Sequence, residues 1–136
     1  MSILFSPASL GTLKVPNRIL RSATGEKMCR VDGSVTPLLA EFYARLARGG
    51  VGLIITGHSF VRADGKASEG MMGVHRDSLV PGLRKLADAV HEAGALVVCQ
   101  LNHAGRQTLR ELVGDKRPIA PSAVPEKSSG VAPRAL

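Results

Sequence analysis

The chain has 136 residues, 44% of them hydrophobic, enough to bury one domain-sized core. Eighteen Lys and Arg against eleven Asp and Glu leave a formal charge of +7, yet with one Tyr, three Phe, no Trp and cations scattered outside Arg45/Arg48 and Lys116–Arg117, base stacking has no platform and nucleic-acid binding is not expected. Two cysteines without metal-type spacing, no secretion signal in residues 1–7 and no bilayer-length apolar run lead us to expect a reduced, cytoplasmic protein without membrane contact.

In chain order, residues 10–15 read as a short hairpin punctuated by Gly11 and Pro16. A first strand follows over 18–23, running into the flexible Thr24-Gly25-Glu26. Thr36 is a suitable N-cap with Pro37 at the first helical position, and Leu38, Phe42 and Leu46 recur at four-residue spacing until Gly49-Gly50 ends the helix. Residues 51–57 form a nearly unbroken apolar run, the pattern of a parallel strand covered on both faces. The polar stretch 62–70 has glycines at its bends and reads as a turn. Asp77 or Ser78 then caps a second helix with apolar positions Leu79, Leu83, Leu86 and Val90, ended by Gly94, and a third strand covers 95–101. Strands alternating with helices of this length imply β-α-β units and a parallel sheet. Beyond His103 the pattern dissolves, and with four prolines between Pro118 and Pro133 neither regular structure nor a further strand is expected there.

In a barrel of such units, ligand and catalytic groups collect at the C-terminal ends of the strands. Here those ends are Ser22-Ala23-Thr24-Gly25, Gly57-His58-Ser59, and Gln100 followed by His103-Ala104-Gly105-Arg106. Small residues let a flat ligand approach the backbone, and Gln100 offers an amide donor and a carbonyl acceptor, which together suit a polar heteroaromatic ring. A turn after a strand also needs glycine for its own backbone angles, so the glycines alone do not separate the two readings. His75 and His91 read as loop and solvent-side residues, and His103 as either a hydrogen-bonded structural histidine or a catalytic one. Cys99 reads as a small buried hydrophobe, Cys29 has no His or second Cys beside it, and Glu26 would pair with Lys27 or Arg21 in solvent. No phosphate loop, Cys-x-x-Cys, His-x-x-x-His or Ser-centred elbow is present, so no metal site and no acyl-transfer chemistry is expected.

The segments Asn17-Arg18-Ile19-Leu20-Arg21-Ser22-Ala23-Thr24, Gly52-Leu53-Ile54-Ile55-Thr56-Gly57 and Gln100-Leu101-Asn102-His103-Ala104-Gly105-Arg106, in this order, resemble the N-terminal part of the old yellow enzyme family, with Phe5-Ser6-Pro7 and Ala120-Pro121-Ser122-Ala123 also fitting. These are the FMN-dependent NADH:flavin oxidoreductases and ene-reductases, 2,4-dienoyl-CoA reductases among them. The resemblance implies an α/β fold, a (β/α)8 TIM barrel of which residues 1–136 are the N-terminal portion of a single FMN-binding domain. The first three β-α units would be present, the third without its helix, preceded by an N-terminal β-hairpin.

It also implies FMN as cofactor, NADH or NADPH as reductant, and hydride transfer to a small activated alkene such as an enone or enoyl thioester. Ala23, Thr24, Gly25 and His58 would line the flavin, and Gln100 would hydrogen-bond its pyrimidine edge. Many relatives carry Cys or Thr at the position of Gly25, a small residue at His58, and some a substrate-facing Tyr at Lys27, so flavin potential and substrate preference do not carry over. The main catalytic residues of the family lie in later strands, leaving His103 and Arg106 as secondary candidates. A full barrel needs about 250 residues, so the chain alone is expected to be a poor enzyme. The alternative is a non-catalytic part-barrel that self-associates, as a homo-oligomer, or docks to a complementary chain.

Overall fold

The computed structural model describes residues 2–114 and 116–136. Ala8–Leu10 (β1) and Leu13–Val15 (β2) pair antiparallel around Gly11-Thr12, with Gly11 at φ +60°, so the hairpin is present with its first strand ahead of the expected start. Three parallel strands follow, Leu20–Arg21 (β3), Leu53–Ile55 (β4) and Leu96–Val98 (β7), in the spatial order β3-β4-β7. Helix α1 (Pro37–Arg48) connects β3 to β4 and α2 (Val80–Glu92) lies between β4 and β7. Thr36 caps α1 as its side chain accepts from the Leu39 amide.

The register places Leu20, Leu53 and Leu96 side by side, with Arg21, Ile54 and Val97 in the next row. Because side chains alternate across a strand, these rows face opposite ways. Ile54 is 0% exposed and forms the core with Leu39, Tyr43 and Ala47 of α1 and Leu86 and Val90 of α2, so its row faces the helices. The second strand is therefore buried as its apolar run requires, and α2 packs through the positions expected of it. Helix α1 does not follow its expected stripe. Leu38 is 65% exposed, Phe42 and Leu46 lie on the flank, and the face turned inward is Leu39, Tyr43 and Ala47. Both rows have four-residue spacing; the helix chooses the one whose small Ala44 and Ala47 permit close approach to the sheet.

Other expectations are corrected. Neither Asp77 nor Ser78 caps α2 through its side chain: a 3-10 turn over Asp77–Leu79 leads into the helix, and Pro81 fills its first turn without needing a donor. Cys99 is exposed, because β7 is the outer strand of its sheet, and its thiol donates to Ser59 Oγ at 3.3 Å. Lys66, in the stretch assigned to a polar turn, is buried, its ammonium donating to the Val31 carbonyl at 2.6 Å above the Phe60 ring. The proline-rich end does carry a short ladder, Ile119–Ala120 (β9) with Arg134–Ala135 (β10), since the prolines flank the paired residues instead of occupying them.

A second parallel sheet was not foreseen. Ser59–Phe60 (β5) sits between Met72–Gly73 (β6) and Leu101–Asn102 (β8). It prolongs the first sheet, since β5 follows β4 and β8 follows β7. The register, however, changes from Ile55 opposite Val98 to Ser59 opposite Leu101. Four residues advance on one strand while three advance on the other, so residues 56–58 hold one extra residue, a β-bulge of the kind that re-aims side chains.

Candidate functional site

At the bulge the three strand ends meet. The Thr56 amide donates to the Val98 carbonyl at 2.9 Å, the Gln100 amide to Thr56 Oγ1 at 3.3 Å, and the Ser59 amide to the Gln100 carbonyl at 2.8 Å. On the other side, a Cβ placed on Gly57 would stand 2.7 Å from the Thr24 carbonyl, so only glycine allows the first two strand ends this separation. His58 thus lies between the segment against Thr24 and the segment bonded to Gln100, and it lines a cavity of about 10 Å³ with Gly25, Lys27 and Met71. The structure brings Ala23, Thr24, Gly25, His58 and Gln100 to one end of the sheet.

The two other sequence candidates are not part of this group. His103 lies over Gly65, its Nδ1 accepting from the Gly105 amide at 3.0 Å, while its buried Nε2 stands 3.5 Å from Asp64 Oδ1 without a hydrogen bond, so its one ring hydrogen bond is spent on its own loop. Arg106 is exposed on a 3-10 turn and lines a separate cavity with Thr108, Glu126 and Val131.

Beneath the strand ends lies a polar network that sequence reasoning missed. Tyr43, 1% exposed, accepts from the Gly57 amide at 3.0 Å and directs its own proton to the Glu26 carboxylate. Glu26 is ion-paired with Arg21 at 2.6 Å, and the Arg21 guanidinium donates to the Ser22 and Ile55 carbonyls while packing 5.5 Å from the Phe42 and Tyr43 rings. The expected Glu26–Arg21 pairing is present but buried, not solvated. Burial pushes the Tyr43 phenol well above its ordinary range, so it stays protonated and able to donate. The nearby Cys29 thiol is pushed up to about 12, first by burial and then by the Glu26 and Asp32 charges, so it is inert at neutral pH. The available signal for the network was the lone Tyr of the chain, one turn after Leu39 on a helix that follows the Glu26 loop.

The profile of the NADH:flavin oxidoreductase / NADH oxidase family matches residues 3–135. The chain belongs to this family. Among curated relatives, the metal reductase of Desulforamulus reducens is 45% identical over 98% of the chain and 20% of its own length. The NADH oxidase of Thermoanaerobacter brockii is 39% identical over 98% of the chain and 21% of its length. Among solved structures, the old yellow enzyme homologue of Zymomonas mobilis superposes with a TM-score of 0.86 at 30% identity, covering 99% of this chain and 40% of that one. Morphinone reductase gives 0.84 at 28% identity, covering 98% and 39%. The chain therefore spans about a fifth of the length of these curated relatives and forms part of a barrel as NADH:flavin oxidoreductases build it.

The family's flavin can be tested against the residues present. No atom lies within 4 Å of where a Cβ on Gly25 would stand, so a ring has open space there. Among the described residues Gln100 hydrogen-bonds only through its backbone, and its exposed side-chain amide makes no hydrogen bond to them. Small residues beside open space, with a free amide next to them, fit a flat ring with a polar edge. Among the described residues no group of His, Cys, Asp or Glu could hold a metal ion, and no helix is long and apolar enough to cross a membrane.

Proposed function

We propose that this chain forms the first three β-α units, the third without its helix, of a (β/α)8 FMN oxidoreductase that takes electrons from NADH or NADPH and passes hydride to an activated alkene, an enone or enoyl thioester. When bound, FMN supplies the two-electron hydride chemistry. This chain's part is binding and orientation. Ala23, Thr24 and Gly25 offer backbone groups and a low surface against which a ring can lie, and His58 meets its edge. The Gln100 amide, donor and acceptor at once, pairs with the pyrimidine edge, favouring a ring that gains negative charge on reduction. The observation that carries this reading is the convergence of the strand ends at the bulge with the Gln100 side-chain amide left without a partner among the described residues. Substrate anchors and the proton donor are assigned to later strands, so the chain alone is inactive.

The test is the absorption spectrum of the purified chain and of a version extended to barrel length after incubation with FMN. A yellow extended protein that oxidises NADH or NADPH with an enone is expected; a colourless one refutes the reading.

A second reading, a part-barrel that associates with its own copies or a complementary chain, is favoured by the sheet face turned away from the helices. Leu20 is 46% and Val98 43% exposed there, and Leu101 beyond them 65%. Analytical ultracentrifugation of the chain decides it, since a stable monomer is incompatible with that reading.

A further inference from the structure

The groups assigned to the flavin are carried by loops, and loops hold a fixed spacing only when something rigid holds them. The helix behind the sheet supplies such a support. Tyr43 projects from α1 through the core to the junction of two strand ends, where its hydroxyl touches one from each side. It accepts from the Gly57 amide of the second at 3.0 Å and donates to Glu26 of the first. Arg21 completes the tie, paired with Glu26 and bonded to the Ile55 carbonyl of β4. Each member is largely buried, and the cavity bounded by Gly25, Glu26, Tyr43, Gly57 and His58 holds only about 10 Å³, room for no more than about one water beside these bonds. Gly57 is also the residue at which any added carbon would meet Glu26 and Thr24.

We infer that Tyr43, working through the Arg21–Glu26 pair, is a positioning residue that fixes the spacing of the Thr24–Gly25 and Gly57–His58 strand ends and thereby the platform for the flavin ring. The inference deepens the flavin reading and rests on it for the identity of the ring, while the tie between the strand ends stands on the polar contacts alone. Tyr43 does not touch the ring. Its effect is to hold the groups that do, and so to set both affinity and reduction potential.

The test uses Tyr43→Phe, which keeps the ring in the core, and Glu26→Gln, which keeps the shape and removes the charge. In the 136-residue chain, hydrogen exchange at the Gly57 amide is expected to speed up about tenfold in Tyr43→Phe, the size of one lost buried hydrogen bond, with the helical circular dichroism unchanged. In the barrel-length protein, the same substitution is expected to weaken FMN binding about tenfold by that same measure and to shift the potential and visible spectrum of bound flavin, which a purely structural role would not move. The double variant is expected to be no worse than the poorer single one, because the two residues act as a unit. Wild-type affinity, potential and Gly57 protection in Tyr43→Phe would overturn the inference. A wild-type barrel that takes up no FMN removes the flavin reading instead, and the Gly57 exchange rate then decides whether Tyr43 ties the strand ends.

Discussion

The first and third strand ends do opposite things with their polar side chains. At the first, Arg21 and Glu26 are turned into the protein, tied to Tyr43 and to the carbonyl of the neighbouring strand. At the third, Cys99 and Gln100 are exposed, and the Gln100 side chain binds no described residue. A buried ion pair is expensive to form and worse to break, whereas an exposed amide costs the fold almost nothing. The difference teaches that stability and ligand contact are separated along this chain: one strand end is committed to holding geometry, the other is left available.

The largest test of that separation is Glu26→Ala. It leaves the largely buried Arg21 guanidinium without its partner and takes the acceptor from Tyr43, so a loss of about 3–5 kcal/mol in urea unfolding is expected. Ile54→Ala, in the helix-side core at 0% exposure, should cost about 2–5 kcal/mol, while Leu101→Ala on the exposed face should stay within about 0.5 kcal/mol. Equal effects at Ile54 and Leu101 would show that the second face is covered in solution. Gln100→Ala sharpens the contrast from the other end: unfolding stability unchanged, with FMN affinity at barrel length reduced about tenfold, one hydrogen bond's worth.

The smallest effect is chemical. Iodoacetamide at pH 8 should modify exposed Cys99 and spare Cys29, whose thiol is pushed up to about 12. The sign follows from linkage: a thiol whose folded pKa is raised adds stability below its unfolded value of 9.0, and that contribution is lost as pH climbs toward 12. Alkaline unfolding accompanied by Cys29 labelling is the expected signature, read by mass spectrometry. Labelling of Cys29 ahead of Cys99 at pH 8 would contradict the burial order.

Much of this was legible in the residues. The Thr36-Pro37 start and Gly49-Gly50 stop of α1 are local signals, and so is the unbroken apolar run that became β4. The motif order located the strand ends, because each is a contiguous run of a few residues. What was hidden depends on contacts far apart in sequence. Both α1 stripes have the same spacing, and only the sheet decides that Leu39 and Tyr43 turn inward while Leu38 does not. β5 and β6 are two residues each, too short to show a period, and arise from pairing with β8. The burial of Glu26 could not be read from a chain in which Lys27 stood beside it, since adjacent charges suggest solvent and only the partner on α1 reveals the interior.

The extra residue at 56–58 reverses the odd-even phase of everything after it. Ser59 and Phe60 point to opposite faces of their strand and are both buried, so both faces are covered there, and the strand pairs in its new register with Leu101 and Asn102. Changes of side chain at His58 therefore alter only what a ligand meets, whereas deleting one residue there would rotate Phe60 away from His75, whose ring it stacks against at 4.7 Å, and unseat the support for Lys66. Ligand preference in this segment is open to substitution and closed to changes of length.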